Sequence, residues 1–329
     1  MANTTAIILV TYNGWELTKA CLNDLTPLLS NDCAETAAEK AQKFVVAIAD
    51  NGSTDGTVEK IRELYPSEKY PQIHVYPQAG NLGFGAANNG AIRGLLNDGV
   101  KFDAVCLLNN DTRFQAEALV KLREDLDRVG EYAVLAPTTF NVDGSRQNNF
   151  FAGLGPDGIG YINFLMNAFR NEEGAARVLE GTPTATALEG IKETHWTSAV
   201  CWMMSAELWN RVGGFDEKIF MYYEDADMAL RCRKLGARFF ISDRSAITHL
   251  GGGSAKSSLS RALQHDRSQE YVFKKHFGIR GYWLSKKFRI LRSLVRIVSA
   301  APRAIAGSSA PEKRAYIKHH LALFKEAVL

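Results

Sequence analysis

The chain has 329 residues, 46% hydrophobic and 23% charged, with a formal net charge of +3. That length buries a full core in one large α/β domain, and the near-balance of charge speaks against a nucleic-acid binder. No linker, repeat or low-complexity tract interrupts it. No run reaches the roughly 18 apolar residues of a spanning helix, so any membrane contact is expected to be peripheral.

In chain order, AIILVTYNG reads as a buried strand broken by Asn13-Gly14. WELTKACLNDLTPLL follows as a helix, with Leu17, Cys21, Leu22, Leu25 and Leu28 at helical spacing. KFVVAIADNGSTDGTVEKIRELYP repeats the plan: a strand from Phe44 to Ala49, a turn from Asp50 to Gly56, and a helix stopped by Pro66. IHVYPQAGNLGFGAANNGAIRGLL supplies a third strand, a Gly-rich turn and a helix begun by Asn88 and Asn89, and FDAVCLLNNDTRFQAEALVKLREDL a fourth unit. This alternation predicts an α/β fold with a mostly parallel central sheet flanked by helices. Such sheets bind ligands outside the carboxyl ends of their strands, where Asn13, Asp50 and Asp111 fall.

After Ala136 the periodicity weakens into a turn-rich, aromatic stretch to about Thr194, expected to be an irregular insertion. HWTSAVCWMMSAELWNRVGGFDE resumes a strand and helix, EDADMALRCRKLG is a helix, and the strand ARFFIS completes the sheet. Five cysteines, Cys21, Cys33, Cys106, Cys201 and Cys232, show no metal-ligand spacing and no adjacent histidine. They read as reduced thiols of a cytosolic chain whose start carries no basic leader.

Each candidate residue has a structural role to set beside a chemical one. Asp50 to Gly56 make a helix-capping turn, yet a long one, with Asp50 placed to accept a hydrogen bond from a ligand amide or ribose hydroxyl. The glycines at 80, 83, 85 and 90 do not spell a dinucleotide fingerprint, but they permit close approach of a ligand. Asn109, Asn110 and Asp111 either end a strand and cap a helix or hold Mg²⁺ or Mn²⁺ on a diphosphate, whose oxygens and waters complete the shell. Glu224, Asp225 and Asp227 suit the positive end of a helix. Asp227 has Arg231 four residues on and reads as supporting, which leaves Glu224 and Asp225 free to deprotonate a hydroxyl. His249 becomes a metal-ligand candidate if the fold sets it beside Asp111.

Taken in order, VTYNG, ADNGSTDGT, GNLGFGAANNGA, LLNNDT, GGFDEKIFMYYEDADMALRCRKLG and THLGGGS resemble the family 2 glycosyltransferases. The resemblance implies the GT-A nucleotide-diphosphosugar transferase fold over 1–255, with a nucleotide-binding half to about 135 and an acceptor-facing half from about 136. A helical extension would fill 256–329. By the same resemblance Thr11, Tyr12 and Asn13 pack around the base and Asp50 contacts base or ribose. Asn81, Gly83, Phe84 and Asn88 line the donor, with Asn109, Asn110 and Asp111 in the position of the family's metal motif. Asp225, with Glu224 as its rival, is the expected base, and His249 lies near the diphosphate and metal. GNLGFGAANN, NND and YYEDADMALR together look most like the bacterial rhamnosyltransferase branch. That branch implies inverting transfer of L-rhamnose from dTDP-L-rhamnose to a lipid-linked or other cell-surface glycan, as in O-antigen or cell-wall synthesis. Other UDP- or dTDP-sugars, a catalytically silent nucleotide-sugar-binding scaffold and a nucleotidyltransferase stay open, and an oligomer is compatible with the sequence.

Lys286, Lys287, Arg289, Arg292, Arg296 and Arg303 form the basic segment of the chain. Leu284, Phe288, Leu291, Val295 and Val298 share one face of a helix there, with Arg289, Arg292 and Arg296 on another flank. That pattern predicts attachment to an anionic surface on the cytoplasmic face of the inner membrane, against the alternative of a helix packed on its own domain.

Overall fold

The computed structural model describes residues 3–30, 43–147, 149–151, 188–251, 258–305 and 310–328. Cys33, most of the expected insertion before Thr194 and the expected boundary at 255 lie outside them. The other four cysteines are free and buried.

The sheet grows from strand–helix units: β1 (Thr4–Thr11), α1 (Trp15–Ser30), β2 (Lys43–Asp50), α2 (Thr57–Leu64), β3 (Ile73–Pro77), α3 (Phe84–Asn97) and β4 (Ala104–Asn109). Short β5 (Thr112–Phe114), α4 (Glu117–Val129) and β6 (Ala133–Phe140) follow. After β7 (Phe150–Phe151) come β8 (Ile191–Thr194), β9 (Trp196–Thr197), β10 (Cys201–Ser205), α5 (Ala206–Val212), α6 (Glu224–Lys234) and β11 (Arg238–His249). The main sheet has the order β3-β2-β1-β4-β10-β6-β11-β5, with β8 also on β11. β1, β2, β3 and β4 are parallel, as are β6 and β11, while β10 runs antiparallel between β4 and β6. The expected mostly parallel sheet is present through β1 to β4 and in the β6–β11 pair, with antiparallel pairing where β10, β5 and β8 join it.

Strands that are buried on both faces carry apolar residues without alternation. Ile7 and Leu9 face one core cluster and Ala6 and Ile8 the other, all fully buried. α3 starts at Phe84, not at Asn88 and Asn89, which sit buried in its second turn. β11 outruns ARFFIS because it continues past a bulge between Ser242 and Ala246 to reach β5.

The C-terminal region is α7 (Ser258–Ile305) and α8 (Ala310–Val328). α7 breaks at Gly278 (φ 64°, ψ −157°). The chain reverses there, since Arg292 bonds Asp266 at 2.8 Å and Arg289 bonds Glu270 at 2.6 Å. An inner arm thus packs on the body, with Val272 and Phe273 fully buried in its core, and an outer arm lies antiparallel along it. This overturns the basic flank expected for the segment. Arg289 is 2% exposed, and both it and Arg292 are spent on Asp266 and Glu270, while Phe288 packs against the core. No helix among the described residues is long and apolar enough to cross a membrane.

Candidate active site

Register brings the strand ends level: Thr11 pairs with Asp50, and Val10 with Asn109. The turns beyond them lock together through side chains. Asn13, at φ 48°, accepts from Thr54 N–H at 2.7 Å, and its own N–H donates to Ser53 Oγ at 2.9 Å. Asn110 Nδ2 donates to Thr18 Oγ1 at 2.9 Å, and Thr18 Oγ1 in turn donates to Thr11 Oγ1 at 2.8 Å. Asn110 and Thr11 are thereby occupied in holding the rim. Asp50 is 2% exposed; one oxygen accepts Ser53 N–H at 3.0 Å, and Oδ1 is buried without a partner among the described residues. An orphaned buried carboxylate oxygen is costly unless something else donates to it. Tyr12 is half-buried beside these turns.

The Gly-rich turn is shaped by a residue the sequence reading passed over. Buried Asn51 donates to Asn81 Oδ1 at 3.0 Å and to Gly83 O at 3.2 Å, and accepts Leu82 N–H at 2.9 Å. Phe84 N–H donates to Phe220 O at 3.0 Å, and Gly83 (φ 86°) leaves no room for a side chain against that carbonyl. Asn88 Nδ2 donates to Phe84 O at 2.9 Å and its Oδ1 is buried without a partner among the described residues. Asn89 instead clamps Phe215 through both N–H and carbonyl, at 2.9 Å each.

β5 and β11 bring together two residues far apart in sequence. His249 pairs with Thr112 across the strands, and Leu250 N–H donates to Asp111 O at 2.8 Å. The His249 imidazole therefore stands 3.3 Å from Asp111, with its other nitrogen 2.9 Å from Gln147 Oε1. Asn109 Oδ1 is buried without a partner among the described residues. No group of three His, Cys, Asp or Glu side chains gathers for a metal among the described residues. The Asp111–His249 pair with Asn109 Oδ1 fits a divalent ion only where a ligand's oxygens complete the shell.

The acids at the start of α6 follow two aromatic residues with positive φ, Tyr222 (65°) and Tyr223 (66°). Bulky residues adopt that region only where their surroundings enforce it. The enforcement is visible: Ser268 Oγ donates to Met221 O at 2.7 Å, and His265 and Phe273 pack on Tyr223. Burial pushes the Glu224 carboxyl up to about 8, with Asp225 adding to the effect. Burial raises Asp225 as well, against hydrogen bonds from the backbone of Ala226 and Ala199. Asp227 takes the opposite course. Burial would raise it, but His276 at 2.7 Å, Arg231 at 2.8 Å and Lys275 at 2.6 Å hold it down at about 2. The supporting role expected from its spacing to Arg231 is met, with Lys275 and His276 of α7 as further partners.

The two acidic regions share a rim. Ala199 bonds Asp225, while Val200 O accepts Asn109 N–H at 2.9 Å, so consecutive residues before β10 join the α6 start to the β4 end.

The model of glycosyl transferase family 2 matches residues 6–174. The chain belongs to that family. A similar curated protein is the N-acetylglucosaminyl-diphospho-decaprenol L-rhamnosyltransferase of Mycobacterium tuberculosis, 27% identical over 265 residues, 75% of this chain and 80% of the relative. A low-salt glycan biosynthesis hexosyltransferase of Haloferax volcanii is 23% identical over 68% of this chain and 66% of its own length. The chain is similar in fold to the mannosyltransferase PcManGT from Pyrobaculum calidifontis in complex with GDP-Man and Mn²⁺, with a TM-score of 0.51 and 15% identity over 98% of this chain and 85% of that one. GalNAc-T7 with UDP, GalNAc and Mn²⁺ gives a TM-score of 0.51 at 12% identity over 88% of this chain, which spans 55% of that structure. The GT-A fold expected of a family 2 glycosyltransferase is thus present, with its C-terminal helical extension, and the protein is a glycosyltransferase.

Three residues that shape this family 2 site escaped the sequence reading: Asn51, Phe220 and His265. ADNGSTDGT and GGFDEKIF contain the first two, but their partners lie at positions 81–84, far along the chain. His265 lies in a helix that no motif marked.

Proposed function

We propose that the chain transfers a glycosyl group, with inversion, from a UDP- or dTDP-sugar to a hydroxyl of a lipid-linked glycan. The observation that carries this reading is the bridge through Ala199 and Val200, which sets a raised carboxyl pair beside the strand end bearing Asp111. Asp225 accepts the proton of the attacking hydroxyl, and Glu224 holds its own proton near neutral pH. Thr11, Asn13, Asn110 and Asn51 fix the turns that receive the nucleotide, with Tyr12 beside the base and Asp50 Oδ1 open to a base or ribose donor. Asn81, Gly83, Phe84 and Asn88 carry the backbone along the donor. Asp111 and His249, with Asn109 nearby, would hold Mg²⁺ or Mn²⁺, whose charge when bound offsets that of the departing nucleoside diphosphate.

L-rhamnose from dTDP-L-rhamnose is the second reading, favoured by the 27% identical mycobacterial relative. The test is a panel of UDP-, dTDP- and GDP-sugars, with the product's anomeric configuration read by NMR. Release of nucleoside diphosphate with an inverted product is expected; a retained configuration defeats the mechanism, and preference for a UDP-hexose defeats the rhamnosyl reading.

The outer arm of α7 is proposed to rest on an anionic bilayer. Ile279, Trp283, Leu291, Val295 and Val298 are each at least half exposed, and exposed Arg280 and Lys287 stand among them with no acid between Gly278 and Ile305. Apolar side chains between cations suit the boundary of headgroups and acyl chains.

A further inference from the structure

A cavity of about 470 Å³ lies between the two arms of α7 and α8, outside the rim described above. Arg261, Arg292, Arg296, His265 and His319 line it, Tyr222 closes one side, and Asp266 is its single carboxylate among the described residues. That carboxylate is already committed: Arg292 lies at 2.8 Å, Arg289 at 3.2 Å, and Asp266 is 1% exposed. Against burial, His265 and the two arginines hold it down at about 2, so it stays charged and is neutralised from behind. Arg261 and Arg296 bring two further guanidiniums to the lining. Burial first, then the charges of Arg296, His319 and Arg292, hold the adjacent His320 imidazole down at about 4. Arg261 and Arg296, with the imidazoles of His265 and His319, line one open cleft with the forked and single donors that phosphate oxygens accept.

The cavity touches the chemistry. Its Tyr222 is one of the two strained residues before Glu224, and its His265 packs on the Tyr223 ring at 4.9 Å. It also opens beside the outer arm, which carries the exposed apolar residues.

We propose that this cavity is a binding site for a phosphate or diphosphate group, the headgroup of the lipid carrier that brings the acceptor hydroxyl to Asp225. The proposal deepens the transferase reading and rests on it for the identity of the carrier. It concerns a second phosphate site, built by the α7 arms and α8, distinct from the donor's.

The test uses the full chain and a variant with Arg261→Gln and Arg296→Gln, in buffer containing chelator so that no cation supports a diphosphate at Asp111. Binding of labelled inorganic pyrophosphate is measured by equilibrium dialysis, and donor hydrolysis is followed separately with magnesium present. Pyrophosphate binding by the full chain, weakened tenfold or more in the variant while donor hydrolysis is unchanged, is the expected result. Equal binding by both proteins, or none by either, overturns the site. A second arm floats each protein with neutral vesicles carrying a polyprenyl diphosphate. Capture of the full chain but not the variant, reversed by pyrophosphate, assigns the group to a lipid; pyrophosphate binding without vesicle capture overturns the lipid source. If pyrophosphate binding fails in the variant while no nucleotide sugar is hydrolysed by either protein, the site stands and the transferase reading falls.

Discussion

Glu224 and Asp225 hold a proton between them at neutral pH, and the assignment of roles follows from where it sits. With its carboxyl at about 8, Glu224 is the protonated partner, so an amide in its place changes little. Glu224→Gln is expected to keep most of its transfer rate at pH 7, whereas Asp225→Asn should lose about 10²- to 10⁴-fold in kcat with donor affinity retained. The reverse pattern would exchange the two residues. The sign of the pH effect on stability is also set. A carboxyl raised from 4.5 to about 8 binds its proton more tightly in the folded chain, so stability declines as pH rises through that interval. Thermal unfolding of Glu224→Gln should therefore gain on the parent between those limits and hold a constant lead above them. Asp111→Ala should impair transfer far more than folding, and chelation should do the same to the parent. Undiminished transfer after chelation would remove the ion from the site. Asp50, Asp111 and Asp225 were legible in the sequence because each ends a strand or opens a helix in a recognisable pattern. Asn51 was not, because an amide two residues into a capping turn looks like any other turn residue until the segment 81–83 folds back onto it.

Among the elements, α7 shows how a correct local pattern can be joined to the wrong partner. The spacing of Leu284, Leu291, Val295 and Val298 did mark an apolar helical face, and all four are exposed. The arginines on the other flank face inward, because the reversal at Gly278 returns Asp266 and Glu270 to them from 26 and 19 residues away. Helical periodicity carries no information about a segment that turns back on itself. Two predictions separate the faces. Arg289→Ala leaves Asp266 short of a buried partner and should cost about 3–5 kcal/mol, read from denaturant unfolding. Trp283→Asp with Leu291→Asp should leave stability nearly unchanged and abolish co-sedimentation with anionic vesicles; equal sedimentation of variant and parent would remove the outer arm from the membrane.

For the whole molecule, the four strand–helix units were readable because each repeats a buried strand, a polar turn and an amphipathic helix. The dependence of the crevice on the C-terminal helices was not, since the contacts join residues with no shared motif. The inner arm grips α6 and the segment before it at several points: Tyr271 and Lys275 on Asp216, Ser268 on Met221, and Lys275 and His276 on Asp227. A chain ending at residue 257 leaves Asp227 with Arg231 alone and frees the strained tyrosines. It is expected to unfold at lower denaturant and to lose transfer; full transfer by that fragment would show the arm to be dispensable.

This brace also gives the protein a schedule during its own synthesis. Every residue placed at the donor site has been translated by His249, yet the side chains that hold the α6 start in its strained shape arrive between His265 and His276. At about 5–20 residues per second the ribosome needs about one to five seconds to reach His276 from there. A nascent chain therefore completes the parts that grip a nucleotide before the parts that aim a base at an acceptor. Transfer waits for the C-terminal helices, the same elements proposed to meet the lipid.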